Sequence, residues 1–180
     1  FFEDKSQPAA AFGWDVGRCL TVYPPQVSAA QYTLLDSHDT IRLRSRSRNE
    51  DEFWQQLAAL LTLPGSPCLY YGTELALEGG HDPDCRRCMP WDELDTPAGQ
   101  ARVQTLRALA ALRRQEPALQ GSETAFLPGA GRLVHYRRGG ALDVFLNAGP
   151  DPCPLDAGAP PAFARGWDGR ALAPGGVLIR

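Results

Sequence analysis

Pro67 to Tyr71 (PCLYY) is an apolar run with no polar alternation, closed off by Gly65 and Gly72. A segment of that length with no polar face is expected to be a parallel strand buried on both sides. Such a strand needs a crossover from an earlier parallel partner, and the preceding sequence supplies one. Gln31 to Asp36 (QYTLLD) is a short β-prone run. Asn49 then stands where a helix cap would, with Glu50, Asp51 and Glu52 in the first turn, and Phe53, Leu57, Leu60 and Leu61 recur at helical spacing until Pro64-Gly65. A further helix is expected upstream, from Ala9 to about Val22, where Pro24-Pro25 stops it. Another is expected from Pro97 to Gln115, with Val103, Leu106, Leu109 and Ala110 as its apolar stripe and Pro117 ending it. Strand, helix, strand, helix with short connections predicts an α/β fold with a parallel sheet.

After Pro117 the texture changes. RLVHYRR (Arg132 to Arg138) and ALDVFLNAG (Ala141 to Gly149) alternate apolar and polar residues between Gly and Pro clusters, as in a small antiparallel β domain. The boundary falls between Pro117 and Ser122, giving an α/β part over residues 1–118 and a β part over 119–180.

In parallel α/β folds, site residues gather where strands end at their C-terminal side. Both expected strands end in polar sequence: LLD runs into Ser37-His38-Asp39, and PCLYY into Gly72-Thr73-Glu74. His38 and Asp39 are therefore candidate site residues, with Glu74 a weaker one. On spacing alone Asp39 can equally cap the next segment and His38 bond a backbone carbonyl. The loop from Gly72 to about Thr96 adds Asp82 and Arg86, which from their types alone read as a surface ion pair.

LLDSHDT, GSPCLYYGTE and GGHDPDCRRCMPWDE, in that order, resemble the C-terminal part of the α-amylase family of glycoside hydrolases, within it the neopullulanase, cyclomaltodextrinase and maltogenic amylase group. The resemblance is strongest from Leu34 to Glu93. It implies the last two strand–helix units of a (β/α)8 TIM barrel followed by a small antiparallel β-sandwich domain. It also implies retaining cleavage of α-glucosidic bonds in cyclomaltodextrins, pullulan or maltooligosaccharides. Asp39 matches the carboxylate that stabilises the transition state, His38 the neighbouring sugar-binding histidine, and Asp82 with Arg86 the pair that holds a glucose unit further along the cleft. The family's nucleophile and general acid/base have no matching motif here and are expected upstream of Phe1. The chain is therefore expected to be inactive alone, although the enzyme it comes from is competent. The mechanism requires no cofactor, and no metal is assigned to these residues. The calcium that some members bind is expected mainly on upstream segments. A non-catalytic carbohydrate-binding or interaction module is the alternative reading.

Other features carry less. A net charge of -3 and a pI near 5.6 offer nucleic acid or an anionic membrane no general attraction. There is no apolar run of the roughly 20 residues that a membrane helix needs, nor a signal-peptide pattern, so a cytoplasmic protein is expected. The chain opens on FFEDKSQ without an initiator Met, which suggests a piece of a longer polypeptide. Five cysteines fit a reducing compartment, and Cys68 is expected as a buried small hydrophobe. Cys85, Cys88 and His81 are too few ligands for a structural zinc, although a zinc-dependent regulatory protein would use them. Arg42, Arg44, Arg46 and Arg48 read as the solvated start of a helix, and Tyr71 and Trp91 as packing residues. Two strands cannot close a barrel, which takes about eight strands and roughly 250 residues, so self-association through open edges is expected.

Overall fold

The computed structural model describes residues 1–156 and 158–180. The N-terminal part contains α1 (Ala9–Thr21), α2 (Pro25–Ala30), β1 (Tyr32–Thr33), α3 (Leu43–Arg46), α4 (Glu50–Thr62), β2 (Ser66–Pro67) and α5 (Pro97–Gln115). The C-terminal part contains β3 (Thr124–Leu127), β4 (Leu133–Arg138), β5 (Leu142–Asn147), β6 (Cys153–Pro154), β7 (Phe163–Trp167) and β8 (Ala171–Ile179).

Helix α4 is the central element. Asn49 caps it, its side chain accepting from the Glu52 N–H at 2.9 Å, while the Glu52 carboxylate accepts from the Arg48 N–H at 3.0 Å. The reciprocal arrangement is a capping box shifted outward by one residue. At the other end the Arg113 guanidinium donates to the carbonyls of Leu61 and Leu63, each at 2.9 Å, which satisfies acceptors the helix leaves open. Because α4 is covered on nearly all sides, Phe53, Trp54, Leu57, Ala58 and Leu61 join one core with Leu106 and Leu109 of α5. Ala110 is exposed, so the expected stripe of α5 turns away from that position.

The C-terminal strands form one curled antiparallel sheet in the order β3-β4-β5-β8-β6, with β7 also paired to β8. Strict alternation gives the sheet two faces. Val134, Tyr136, Val144, Leu146, Val177 and Ile179 point to the helices and complete the main core. Leu133, Phe145, Leu172 and Leu178 point the other way into a smaller core of their own. Three contacts lock sheet to helix: Tyr136 Oη to Thr62 Oγ1 at 2.5 Å, Gln55 Nε2 to the Gly176 carbonyl at 3.2 Å, and Arg165 to Asp51 at 2.9 Å. Burial pushes the Tyr136 hydroxyl well above its ordinary value, and the Thr62 partner only partly opposes this.

Strands β1 and β2 pair in parallel, Tyr32 with Ser66 and Thr33 with Pro67. The expected direction holds, but the expected extent does not. The pairing covers two residues per strand, and Cys68 to Tyr70 are half-buried with Tyr71 exposed. Burial on both faces needs packed layers on both, and among the described residues this pair has no further strand beside it. Cys68 is accordingly half-buried, and it is Cys85 that is fully buried. A short helix, α2, follows directly where Pro24-Pro25 ends α1, because Pro25 at a first helical position starts a helix as readily as it stops one.

Candidate functional site

The site begins with a buried carboxylate. Asp36 closes the polar end of the LLD run, and its carboxylate accepts from the Leu43 N–H at 2.9 Å and from the Thr73 hydroxyl at 3.0 Å. Those bonds pin both ends of the loop from Ser37 to Arg42 to the turn that follows β2. Within the loop the Ser37 N–H donates to Thr40 Oγ1 at 2.9 Å and the Asp39 N–H to Ser37 Oγ at 3.2 Å. This Asx-like and hydroxyl-supported turn leaves the His38 and Asp39 side chains outside, 62% and 67% exposed.

Arg42 lies beneath this turn and is fully buried, which corrects the expectation of a solvated arginine row. Its Nε is 3.7 Å from Asp36 Oδ2, its Nη2 donates to the Tyr71 carbonyl, and its guanidinium sits over the rings of Tyr70 and Tyr71 at 4.4 and 5.1 Å. A buried charge requires such partners. Gly72, at φ +80°, allows the approach, since a Cβ there would stand 2.9 Å from Arg42 Nη2.

The second loop comes from the 79–87 segment. The Asp84 carboxylate accepts from Arg87 at 2.7 and 2.8 Å and from the Gly80 N–H at 2.6 Å. The Arg87 guanidinium, aided by that N–H, holds the Asp84 carboxyl below the usual carboxylate range. The tied turn presents Cys85 and Arg86 to the first loop. The Cys85 thiol and Arg86 Nε both donate to the His38 carbonyl at 3.0 Å.

Four predicted residues thus meet at one exposed surface. His38 Nε2 lies 3.1 Å from Asp39 Oδ2, and Arg86 Nη2 lies 2.7 Å from Asp82 Oδ1 and 3.6 Å from Asp39 Oδ1. Glu74 is half-buried, and its neighbour Thr73 makes the contact to Asp36. Tyr71 and Trp91 are 38% and 67% exposed, which corrects their reading as packing residues. The Tyr71 hydroxyl donates to the Arg87 carbonyl at 2.7 Å and so ties the segment after β2 to the second loop. Among the described residues no three His, Cys, Asp or Glu side chains converge on a metal position. The sequence reading missed Asp36, Thr73 and Cys85. The signal for Asp36 was present, as a lone carboxylate directly after two leucines.

An exposed imidazole, two carboxylates and a guanidinium fork provide donors and acceptors side by side. That is the chemistry of a polyhydroxylated ligand, whose vicinal hydroxyls both donate and accept. In sequence the chain corresponds to part of the α-amylase family of glycoside hydrolases, in the group of cyclomaltodextrinases, maltogenic amylases and neopullulanases. It is similar to a cyclomaltodextrinase of a Bacillus species, 37% identical over 150 residues that make up 81% of this chain and 26% of that protein. It is also similar to the intracellular maltogenic amylase of Bacillus subtilis, 39% identical over 120 residues, 66% of this chain and 20% of that protein. Among solved structures, the ligand-free cyclic α-maltosyl-(1→6)-maltose hydrolase of Arthrobacter globiformis superposes with a TM-score of 0.83 at 26% identity, over 100% of this chain and 40% of that chain. The chain therefore spans about a quarter of the length of the curated relatives it matches. No protein-family profile matches it. Among the described residues no helix is long and apolar enough to cross a membrane.

Proposed function

We propose that the chain is a segment of a retaining α-glucan glycoside hydrolase acting on cyclomaltodextrins, pullulan or maltooligosaccharides. In this reading β1 and β2 with their following helices are the last two strand–helix units of a (β/α)8 barrel, and residues 119–180 are its C-terminal β-sandwich. Asp39 stabilises the positive charge that develops at the anomeric carbon, and His38 donates to a hydroxyl of the same sugar. Asp82 and Arg86 hold a glucose unit further along the cleft. The observation that carries the reading is the junction of His38, Asp39, Asp82 and Arg86 through contacts of 2.7 to 3.6 Å. Negative charge fixed beside an oxocarbenium-like centre, with hydroxyl contacts that tighten as it forms, lowers the barrier.

Retaining hydrolysis needs a nucleophile and a proton-carrying acid roughly 5 Å apart. Asp39 and Asp82 both face Arg86, at 3.6 and 2.7 Å, and neither lies in a motif that matches the family's nucleophile or acid/base. The nucleophile and the acid/base would therefore come from residues outside these 180, and the chain alone is inactive. Release of reducing sugar from cyclomaltodextrin and maltotriose tests this, with Asp39→Asn alongside. Neither form of the 180-residue chain is expected to act. In a longer chain extended upstream, the same substitution is expected to lower kcat by about a hundredfold to a thousandfold. Activity in the short chain that disappears with Asp39→Asn would overturn the proposal that the nucleophile and acid lie elsewhere. Sugar binding without hydrolysis in the longer chain would favour a non-catalytic carbohydrate-binding module. The open edges of the β1–β2 pair and exposed Tyr32 and Leu34 beside it support self-association of the chain, which a monodisperse monomer in light scattering would refute.

A further inference from the structure

Trp14 stands on α1 with 73% of its surface open to solvent, although indole is the largest apolar side chain a protein can hide. It forms the wall shared by two clefts. One, of about 730 Å³, runs between α1 and β3 past Gly17, Arg18, Ser122, Glu123 and Thr124. The other, of about 520 Å³, continues on the far side of the indole past Leu127, Pro128 and His135. Gly13 and Phe126 line both, so the two clefts are one groove crossed by Trp14.

The groove is made by close packing. A Cβ on Gly13 would come within 3.1 Å of Phe126 Cβ, so the glycine lets α1 settle against β3, at a cost of about 1 kcal/mol relative to alanine in a helix interior. Phe126 is fixed from below by Phe12 at 6.2 Å and Tyr136 at 5.7 Å between ring centroids, which gives the groove a rigid floor. Arg18 and Glu123 are both exposed, and among the described residues neither side chain makes an ion pair or hydrogen bond. The Ser122 hydroxyl beside them is likewise uncommitted among the described residues. An anionic ligand would be opposed by Glu123 and a cationic one by Arg18. A neutral ligand rich in hydroxyls can use both, while an apolar ring face lies on Trp14. None of these residues belongs to the His38, Asp39, Asp82 and Arg86 cluster.

We propose that this groove is a second carbohydrate-binding site, in which Trp14 stacks against a sugar ring and Arg18, Ser122 and Glu123 bond its hydroxyls. The choice of an α-glucan rests on the proposed function above. Isothermal titration with maltoheptaose tests it on three forms of the chain: unaltered, Trp14→Ala, and Asp82→Ala/Arg86→Ala. Trp14 is exposed, so its replacement leaves the core intact, and Trp14→Tyr supplies a variant that keeps a ring. The unaltered chain is expected to bind at two sites, Asp82→Ala/Arg86→Ala to lose one and keep the other, and that remaining class of binding to weaken about tenfold or more in Trp14→Ala and to recover in part in Trp14→Tyr. Unchanged affinity in Trp14→Ala overturns the second site. Loss of all binding in Asp82→Ala/Arg86→Ala also overturns it and leaves the first site standing. Binding that depends on Trp14 but is unaffected by Asp82→Ala/Arg86→Ala upholds the second site and counts against the first. Equal binding of cellohexaose overturns the α-glucan assignment.

Discussion

Replacing Asp36 by alanine tests whether the exposed pair His38–Asp39 is held by the buried chemistry beneath it. Asp36 is 4% exposed, and its carboxylate serves the Leu43 N–H, the Thr73 hydroxyl and the Arg42 guanidinium together. Arg42 is fully buried, and its Nε and Nη1 have no hydrogen-bond partner among the described residues. Removing the carboxylate leaves that charge with only the Tyr71 carbonyl and two ring faces. Loss of one partner from a buried charge pair costs about 3–5 kcal/mol, far more than the pair contributes relative to an apolar replacement. Asp36→Ala should therefore lower stability by about that amount in urea unfolding followed by circular dichroism, with little change in the denaturant slope. The double variant Asp36→Ala/Arg42→Met removes both charges, so it should be less destabilised than the sum of its single changes by about 1–3 kcal/mol. In amide spectra the single variant should also move the resonances of residues 37–40. A loss below about 1 kcal/mol, or an additive double variant, would refute the claim that this ion pair anchors the loop.

Asp143 is a second test, through pH. Burial opposes its ionisation, but the hydrogen bonds from Arg137 at 2.8 and 2.9 Å and from His135 at 2.9 Å outweigh it, so its carboxyl lies below the ordinary range when folded. A depressed folded value gives stability that is present above the unfolded carboxylate pKa of about 3.9 and lost as pH falls through the folded value. Asp143→Asn should flatten the acid side of the urea-midpoint profile, and an unchanged acid limb would count against the assignment. Tyr136→Phe removes a buried hydroxyl from Thr62, which keeps its bond to the Ala58 carbonyl, so a loss of about 1 kcal/mol in thermal unfolding is expected. A loss above about 3 kcal/mol would mean that this hydroxyl does more than join sheet to helix.

Much of the chain's architecture follows from local chemistry. Asn49 with three acids after it, and Thr96 followed by Pro97, mark helix starts because the first N–H groups of any helix need acceptors nearby. Alternation in LVHYRR and LDVFLN fixes two strands because successive side chains point to opposite faces. Strand-end position made His38 and Asp39 candidates, whereas Asp82 and Arg86, a surface ion pair by residue type alone, were nominated only by the resemblance of HDPDCR to the α-amylase family. Burial was less legible. PCLYY is apolar, yet its depth depends on what lies on either side, and here Cys68 to Tyr70 are only half covered. Arg42 resembles its neighbours Arg44 and Arg48 in every local respect, but only Arg42 meets Asp36, Tyr70 and Tyr71. Cys85 and His38 are far apart in the chain, and their bond arises because two loops close over one another. The groove under Trp14 likewise depends on where α1 settles on β3. Sequence determined which residues could form helices, strands and polar loops, because those choices depend on neighbours within a few positions. Tertiary structure alone decided which charges are buried and which side chains share a surface, because burial and pairing depend on groups brought together from distant parts of the chain.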